Sequence, residues 1–250
     1  MKLIGKGKAK DIYLADDGDI VFEFTDRVTA FDGAMKAEYP HKGKVCCSLA
    51  AYWFKLLEKK GIPTHFKEKI DGTRMRVVNL KILPVEVIWR NYVAGSLWRR
   101  FEKGEIKLPE NTDAREGALI PAGFLEFTTK FEAVDRPVSA KDILDSGWMT
   151  ENELKYVAKT TEKINDIMFE HLMRKNIILA DFKVEFGKTQ DGKILLADEV
   201  GTPDGCRFWD RSAYVRGEFL SLDKDVFRKN KGDLSEAYLE IYNRITEGQI

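Results

Sequence analysis

The chain has 250 residues, 44% of them apolar and 33% charged, a composition that belongs to a globular protein and excludes a disordered one. Its 41 basic and 41 acidic residues cancel, which excludes a general attraction to nucleic acid or to membranes but leaves room for local charged pockets. At this length one two-lobed globule is expected, burying roughly 70–75% of the surface its unfolded form exposes. No apolar run reaches the roughly 18 residues of a membrane span, and the N-terminus has no apolar signal segment. The expected place is therefore the cytoplasm. Cys46, Cys47 and Cys206 lack CxxC spacing and read as reduced thiols, not as a zinc site or a disulfide framework. His41, His65 and His171 are scattered and read as surface or packing residues.

In chain order, residues 4–14 read as strands around a Gly/Lys cluster. Asp17-Gly18 is a turn signal before the apolar run 20–24. Residues 44–60 read as a helix stopped by Gly61. Strands are expected at 75–78 and 85–89, flanking Pro84, then a short helix at 96–103 and a strand at 124–129. The clearest helix is 151–175. Thr150 and Glu153 form its capping box, and Leu154, Val157, Ala158, Thr161, Ile164, Met168 and Leu172 make one apolar stripe. A hairpin joining 177–187 to 193–200 follows, and 219–246 reads as helical. The fold class expected is α+β, two-lobed, with the ligand in the cleft between lobes. Residues 1–80 would form a β-rich covering lobe and 81–250 a larger α/β lobe.

Asp191-Gly192 is the strongest short hairpin signal in the chain. A two-residue type I′ turn there pairs Gln190 with Lys193, and so sets Glu185 directly opposite Asp198. Strand alternation puts Asp181, Lys183 and Glu185 on one face and Phe182, Val184 and Phe186 on the buried one. Two carboxylates facing each other repel, so a cation belongs between them. Mg²⁺ suits that place, since it takes one or two carboxylates plus phosphate oxygens. Lys183 neutralising a solvated face is the alternative. Near the start, Gly5-Lys6-Gly7-Lys8-Ala9-Lys10 lacks P-loop spacing and precedes no long helix. It fits a strand–loop–strand cover over a triphosphate, or else a solvated basic loop.

Six segments in order resemble the SAICAR synthetase family. They are Gly7-Lys8-Ala9-Lys10-Asp11-Ile12-Tyr13, Thr25-Asp26-Arg27-Val28-Thr29-Ala30-Phe31-Asp32, and the stretch from Leu83-Pro84-Val85-Glu86 to Ala94-Gly95-Ser96. Further on come Glu126-Phe127-Thr128-Thr129-Lys130, Asp181-Phe182-Lys183-Val184-Glu185-Phe186-Gly187, and the stretch from Asp198-Glu199-Val200-Gly201-Thr202-Pro203-Asp204 to Arg207-Phe208-Trp209-Asp210. Gly201-Thr202 departs from many members, and Thr29 replaces a frequent serine.

The resemblance implies an ATP-grasp-like, SAICAR synthase-like fold with a small N-terminal β lobe over a larger α/β lobe and ATP in the cleft. It implies ATP and Mg²⁺, with L-aspartate and the carboxylated aminoimidazole ribonucleotide CAIR as substrates, and a homodimer as a reasonable assembly. The products are SAICAR, ADP and phosphate, through an acyl phosphate. By resemblance, Glu185 and Asp198 hold the metal, and Lys8 and Lys10 cover the phosphates. Lys130 and Lys183 serve the nucleotide and CAIR. Arg90, Ser96 and Arg207 take the CAIR phosphate and carboxylate, and Asp204 orients Arg207 or the ribose. Asp26, Arg27 and Asp32 belong to the aspartate or CAIR pocket. The connector 78–83, with Val78, Lys81 and Leu83, offers backbone to adenine, and Glu86 reaches the base or the ribose. Lys130, Lys183 and Asp198 are the catalytic candidates.

Two rival functions remain at this stage. A small-molecule kinase on the same scaffold would need a catalytic aspartate aimed at a hydroxyl, and no HRD-like segment is present. A nucleotide sensor could lose its metal ligands, whereas Glu185 and Asp198 are both kept.

Overall fold

The computed structural model describes residues 1–30, 35–132, 134–229 and 232–248. Its first third is built from short strands: β1 (Lys2–Lys6), β2 (Lys10–Leu14) and β3 (Ile20–Phe24), a β4–β5 hairpin (Arg27–Ala30 and Met35–Glu38), then, beyond a helix, β6 (Phe66–Lys69) and β7 (Arg74–Val77). Five of them make an antiparallel sheet in the order β1-β2-β3-β7-β6. The helix is α1 (Lys42–Lys59), which lies against β3, β6 and β7. Cys46, Leu49, Ala50, Trp53, Phe54 and Leu57 follow the 3.6-residue period and are no more than 1% exposed, so this stripe is core.

A seven-stranded sheet forms the other layer. A two-residue β8 (Lys81–Ile82) leads into β9 (Val85–Tyr92) and α2 (Gly95–Glu102). Then come β10 (Leu119–Thr129), β11 (Pro137–Val138), α3 (Ala140–Asp145) and α4 (Glu151–Arg174). After α4 come β12 (Ile177–Lys188), β13 (Ile194–Ala197) and β14 (Cys206–Asp210). The order is β11-β10-β9-β12-β13, with β14 and β8 also paired to β12. β12 is therefore central, and its long apolar run reads as a strand covered on both sides. The stripe of α4 packs on it through Val157, Ile164, Met168 and Leu172, all fully buried. The capping box at Thr150 and Glu153 is present as expected.

The C-terminal expectation needs correction. Residues 219–246 are not one helix. After α5 (Arg211–Val215), among the described residues only α6 (Asp225–Arg228) and α7 (Leu234–Thr246) are helical there. The chain breaks because Asp223 and Asp233 accept local backbone bonds, from Asp225 N and Ser235 N, both at 2.7 Å, which favours caps and turns over helix. α7 packs on α1, and one apolar cluster runs from Phe22 through Trp53 and Leu196 to Met168 and Tyr238. The backbone of His65 and Pro63 also bonds Leu196 at 2.9 and 3.0 Å, tying β13 to the chain entering β6. Among the described residues no helix is long and apolar enough to cross a membrane.

Candidate active site

Where β2, β9, β10 and β12 converge, lysines alternate with carboxylates. Lys183 Nζ lies 2.6 Å from Glu185, 3.2 Å from Glu86 and 3.5 Å from Asp198. Lys130 reaches the other oxygen of Glu185 at 2.5 Å. Lys10 reaches Asp198 at 2.7 Å and Glu199 at 3.4 Å, with its ammonium over the Phe22 and Phe24 rings. Thr128 donates to Glu86, and Thr202 donates to Glu199 at 2.9 Å. Burial disfavours charge at Asp198, yet Lys10, Lys183 and Lys130 overcome it and hold the carboxyl well below the usual range. Burial likewise works against the Lys183 ammonium, but Glu185, Asp198 and Glu86 raise it well above its ordinary value. Three ammonium groups meet four carboxylates here, which leaves one net negative charge.

Glu185 and Asp198 do come together, but not by the expected register. Glu185 pairs with Ala197, and Lys188 with Ile194. The turn is a three-residue loop closed by Thr189 and Lys193, whose backbone bond is 2.9 Å, with only Gly192 of the loop at positive φ. A type I′ turn needs positive φ at both central residues, and Asp191 does not supply it. Lys193 N also donates to the Thr189 hydroxyl at 2.9 Å, and this bond selects the longer loop. Continued regularly, that register would turn Asp198 toward the buried face. Instead Asp198 leaves the strand at φ 62°, and the left-handed conformation swings its carboxylate back to Lys183 and Lys10. The carboxylate brought nearest Glu185 by strand pairing is Glu86, since Val184 pairs with Val87 across β9 and β12.

Beside this cluster lies a cavity of about 220 Å³, lined by Arg90, Ser96, Asp181, Asp204, Arg207 and Arg228 and sharing Glu86 and Lys183 with it. Arg90 is 2% exposed. It donates to Glu126 at 2.5 Å, Asp181 at 2.9 Å and the Ser96 hydroxyl at 2.9 Å. Arg207 forks onto Asp181 at 2.8 and 3.0 Å and reaches Asp225 at 3.1 Å. Burial would lower its guanidinium, but Asp181 and Asp225 raise it. Gly95, at φ 57°, lets the chain pass Arg207, because an added Cβ would sit 2.3 Å from its Nη2.

Asp204 lines the cavity but does not orient Arg207. It pairs with Lys42, with Lys224 at 3.6 Å and with the Tyr238 hydroxyl at 3.0 Å. Burial opposes the charge, and Lys42 and Lys224 bring this carboxyl down to about 2. Asp26 accepts from Gly43 N at 2.9 Å, so it caps α1, whose first turn has no cap of its own. Arg27 pairs with Asp11 and donates to Gly7 O at 3.3 Å, which fastens the glycine–lysine loop. Lys8 sits exposed in that loop, and Asp32 lies outside the described residues. In the connector, Val78 N already donates to His65 O at 2.7 Å and Leu83 N to Phe186 O at 2.8 Å. Neither donor is available to a base. Lys81 is exposed on β8, beside a cleft of about 780 Å³ that also touches Val78.

Sequence reasoning missed Glu199, Glu126, Asp225, Arg228 and Lys42 as partners of the site. Glu199 carried a signal, since it adjoins Asp198. Lys42 and Asp225 carried none, because only long-range packing brings α1 and α6 to the cavity.

The family model described as SAICAR synthetase matches residues 3–245. The chain belongs to the SAICAR synthetase family. Its reaction is the ATP-dependent ligation of L-aspartate to CAIR, and the kinase alternative is not favoured. The chain is 43% identical over 241 residues to the phosphoribosylaminoimidazole-succinocarboxamide synthase of Pyrococcus horikoshii, covering 96% of this chain and 94% of that protein. It is 38% identical over 247 residues to that of Finegoldia magna, covering 98% and 99%. Among solved structures it resembles a SAICAR synthetase in complex with ADP, with TM-score 0.87, 42% identity and 98% coverage of both chains. It also resembles SAICAR-synthase from Saccharomyces cerevisiae complexed with SAICAR, with TM-score 0.84, 26% identity and coverage of 99% and 95%.

Proposed function

We propose that the lysine–carboxylate cluster receives the ATP phosphates and a divalent ion, and that the guanidinium-lined cavity holds CAIR. The observation that carries this reading is the joining of the two compartments at Glu86 and Lys183. One relative is described with ADP and another with SAICAR, which supports both halves. Glu185 and Asp198 meet around Lys183, and such a pair suits Mg²⁺, which dehydrates reluctantly and combines one or two carboxylates with phosphate oxygens. Glu185 and Asp198 would hold it, and when bound it supplies charge neutralisation across the phosphates.

The chain's own groups then have separable tasks. A carboxylate is a poor electrophile, so the CAIR carboxylate first takes the γ-phosphoryl group and ADP departs. The amine of aspartate attacks the acyl phosphate, the new C–N bond forms, and phosphate leaves. Lys10 and Lys8 cover the phosphates, and Lys130 and Lys183 stabilise charge on the phosphoryl oxygens. Arg90, Ser96 and Arg207 fix the anionic groups of CAIR, with Asp181 fixing the two guanidiniums. Asp204 lines the same cavity, while Asp26 and Arg27 act by holding α1 and the glycine–lysine loop. Glu86 reaches toward the nucleotide, and the connector at Val78, Lys81 and Leu83 borders the base with groups other than the two engaged N–H donors. A lobe boundary near residue 80, a homodimer and a cytoplasmic location complete the reading. The buried free cysteines agree with a reducing compartment.

The test is ADP release. Sustained release is expected only with both CAIR and L-aspartate present. Sustained release with CAIR alone would overturn the ligase reading, because it is what a kinase would do.

A further inference from the structure

β13 ends at Ala197, and the next residue, Asp198, stands at φ 62°. A non-glycine residue in the left-handed region is strained and persists only where its surroundings hold it. The hold comes from the chain entering β6. Leu196 N donates to Pro63 O at 3.0 Å and His65 N to Leu196 O at 2.9 Å, so residues 63–65 run beside the end of β13. From there the His65 ring reaches past the strand, and its Nε2 lies 3.2 Å from the Asp198 carbonyl oxygen. A carbonyl oxygen only accepts, so Nε2 carries the proton and donates.

The imidazole is firmly held in turn. His65 is 1% exposed, and its ring meets Phe22 at 5.8 Å and Phe54 at 5.3 Å between centroids. Its own carbonyl accepts from Val78 N at 2.7 Å, which ties it to the end of β7. Phe22 carries the Lys10 ammonium 5.0 Å from its ring centroid, and Lys10 pairs with Asp198 at 2.7 Å. One buried ring therefore touches the backbone of Asp198 and also the aromatic support of the lysine that pairs with it. Between two phenyl rings, a side chain without polar atoms would pack as well and cost less to desolvate. What the imidazole adds to packing is its donor.

We propose that His65 is a positioning residue for phosphoryl transfer: its Nε2–H, donated to the Asp198 carbonyl, holds the left-handed turn that aims the Asp198 carboxylate at Lys10 and Lys183. This rests on Asp198 serving the phosphates and the divalent ion. Without the donor, the backbone at Asp198 relaxes toward regular strand geometry, which turns the carboxylate away from the site. His65 acts through Asp198, so it governs turnover and metal-assisted nucleotide binding and leaves CAIR capture alone.

The experiment compares His65→Gln, His65→Asn and His65→Leu in the full-length enzyme. A Gln amide nitrogen can stand where Nε2 stands, an Asn amide stops short of it, and Leu packs without a donor. In the ADP-release assay, kcat should stay within about threefold of wild type in His65→Gln and fall about 10- to 100-fold in the other two. That range runs from the worth of one hydrogen bond to the cost of misplacing a group by ~1 Å. KM for CAIR should stay unchanged in all three. Calorimetry of ADP without CAIR gives a reading free of turnover. Mg²⁺ should tighten ADP alike in wild type and His65→Gln, and about tenfold of that gain should be lost in His65→Asn and His65→Leu. In an Asp198→Asn background, His65→Leu should lower kcat no further, because the carboxylate it acts through is already gone. His65→Leu performing as well as His65→Gln would reduce the residue to packing and overturn the proposal. A full further loss in the Asp198→Asn background, or an unaltered Mg²⁺ gain, would overturn it too. Should His65→Leu not fold, His65→Gln against His65→Asn decides alone, with equal kcat in the two overturning it. Near-normal turnover in Asp198→Asn would instead remove Asp198 from phosphoryl transfer, and the proposal with it.

Discussion

Asp181→Asn probes the link between the two guanidiniums that wall the CAIR cavity. Asp181 is 4% exposed and accepts from Arg90 at 2.9 Å and from Arg207 at 2.8 and 3.0 Å. The amide keeps the shape, removes the charge and leaves one acceptor oxygen for two forks. Breaking a buried pair by removing one partner costs about 3–5 kcal/mol, because the charge left behind stays desolvated. For a chain of this size that is a fall in Tm of roughly 6–20 °C. Urea unfolding of Asp181→Asn beside Asp17→Asn gives the comparison. Asp17 is 54% exposed in its pair with Arg76, and an exposed pair is worth under about 1 kcal/mol. A loss at Asp181 no larger than that at Asp17 would refute the argument, since it would mean that Glu126 and Asp225 hold both guanidiniums without it.

Asp198→Asn should lower turnover at least about 10²-fold in the ADP-release assay, the scale of one electrostatic group at developing charge; near-normal turnover would remove Asp198 from phosphoryl transfer. Gly95→Ala should raise KM for CAIR more than KM for ATP, because the new methyl displaces Arg207 and the residue sits at φ 57°; equal changes would count against Arg207 as a CAIR contact. His65 lies between Phe22 and Phe54, and burial lowers its pKa to about 4. A depressed folded value means that its contribution is intact above the unfolded pKa of about 6.5 and is lost as pH falls toward about 4, up to about 3 kcal/mol in all. Urea midpoints between pH 7 and pH 4 should therefore fall less steeply in His65→Gln than in wild type, and parallel curves would refute it.

Local physics in the chain was enough for most of the scaffold. The capping box of Thr150 and Glu153 and the apolar stripe of α4 each depend on contacts within a few residues, and each is present. The segments shared with the synthetase family were also legible, since they lie in the chain in a fixed order. The meeting of Glu185 with Asp198 was expected for the wrong local reason. Whether Asp191-Gly192 closes a two- or three-residue loop depended on a hydroxyl at Thr189, and the face Asp198 takes depended on a left-handed residue beyond the strand. The same limit hid Lys42 behind Asp204 and Asp225 behind Arg207. Residues far apart in sequence become ion pairs only when packing removes water from around them, so local pattern selected the elements and long-range desolvation decided which charges meet.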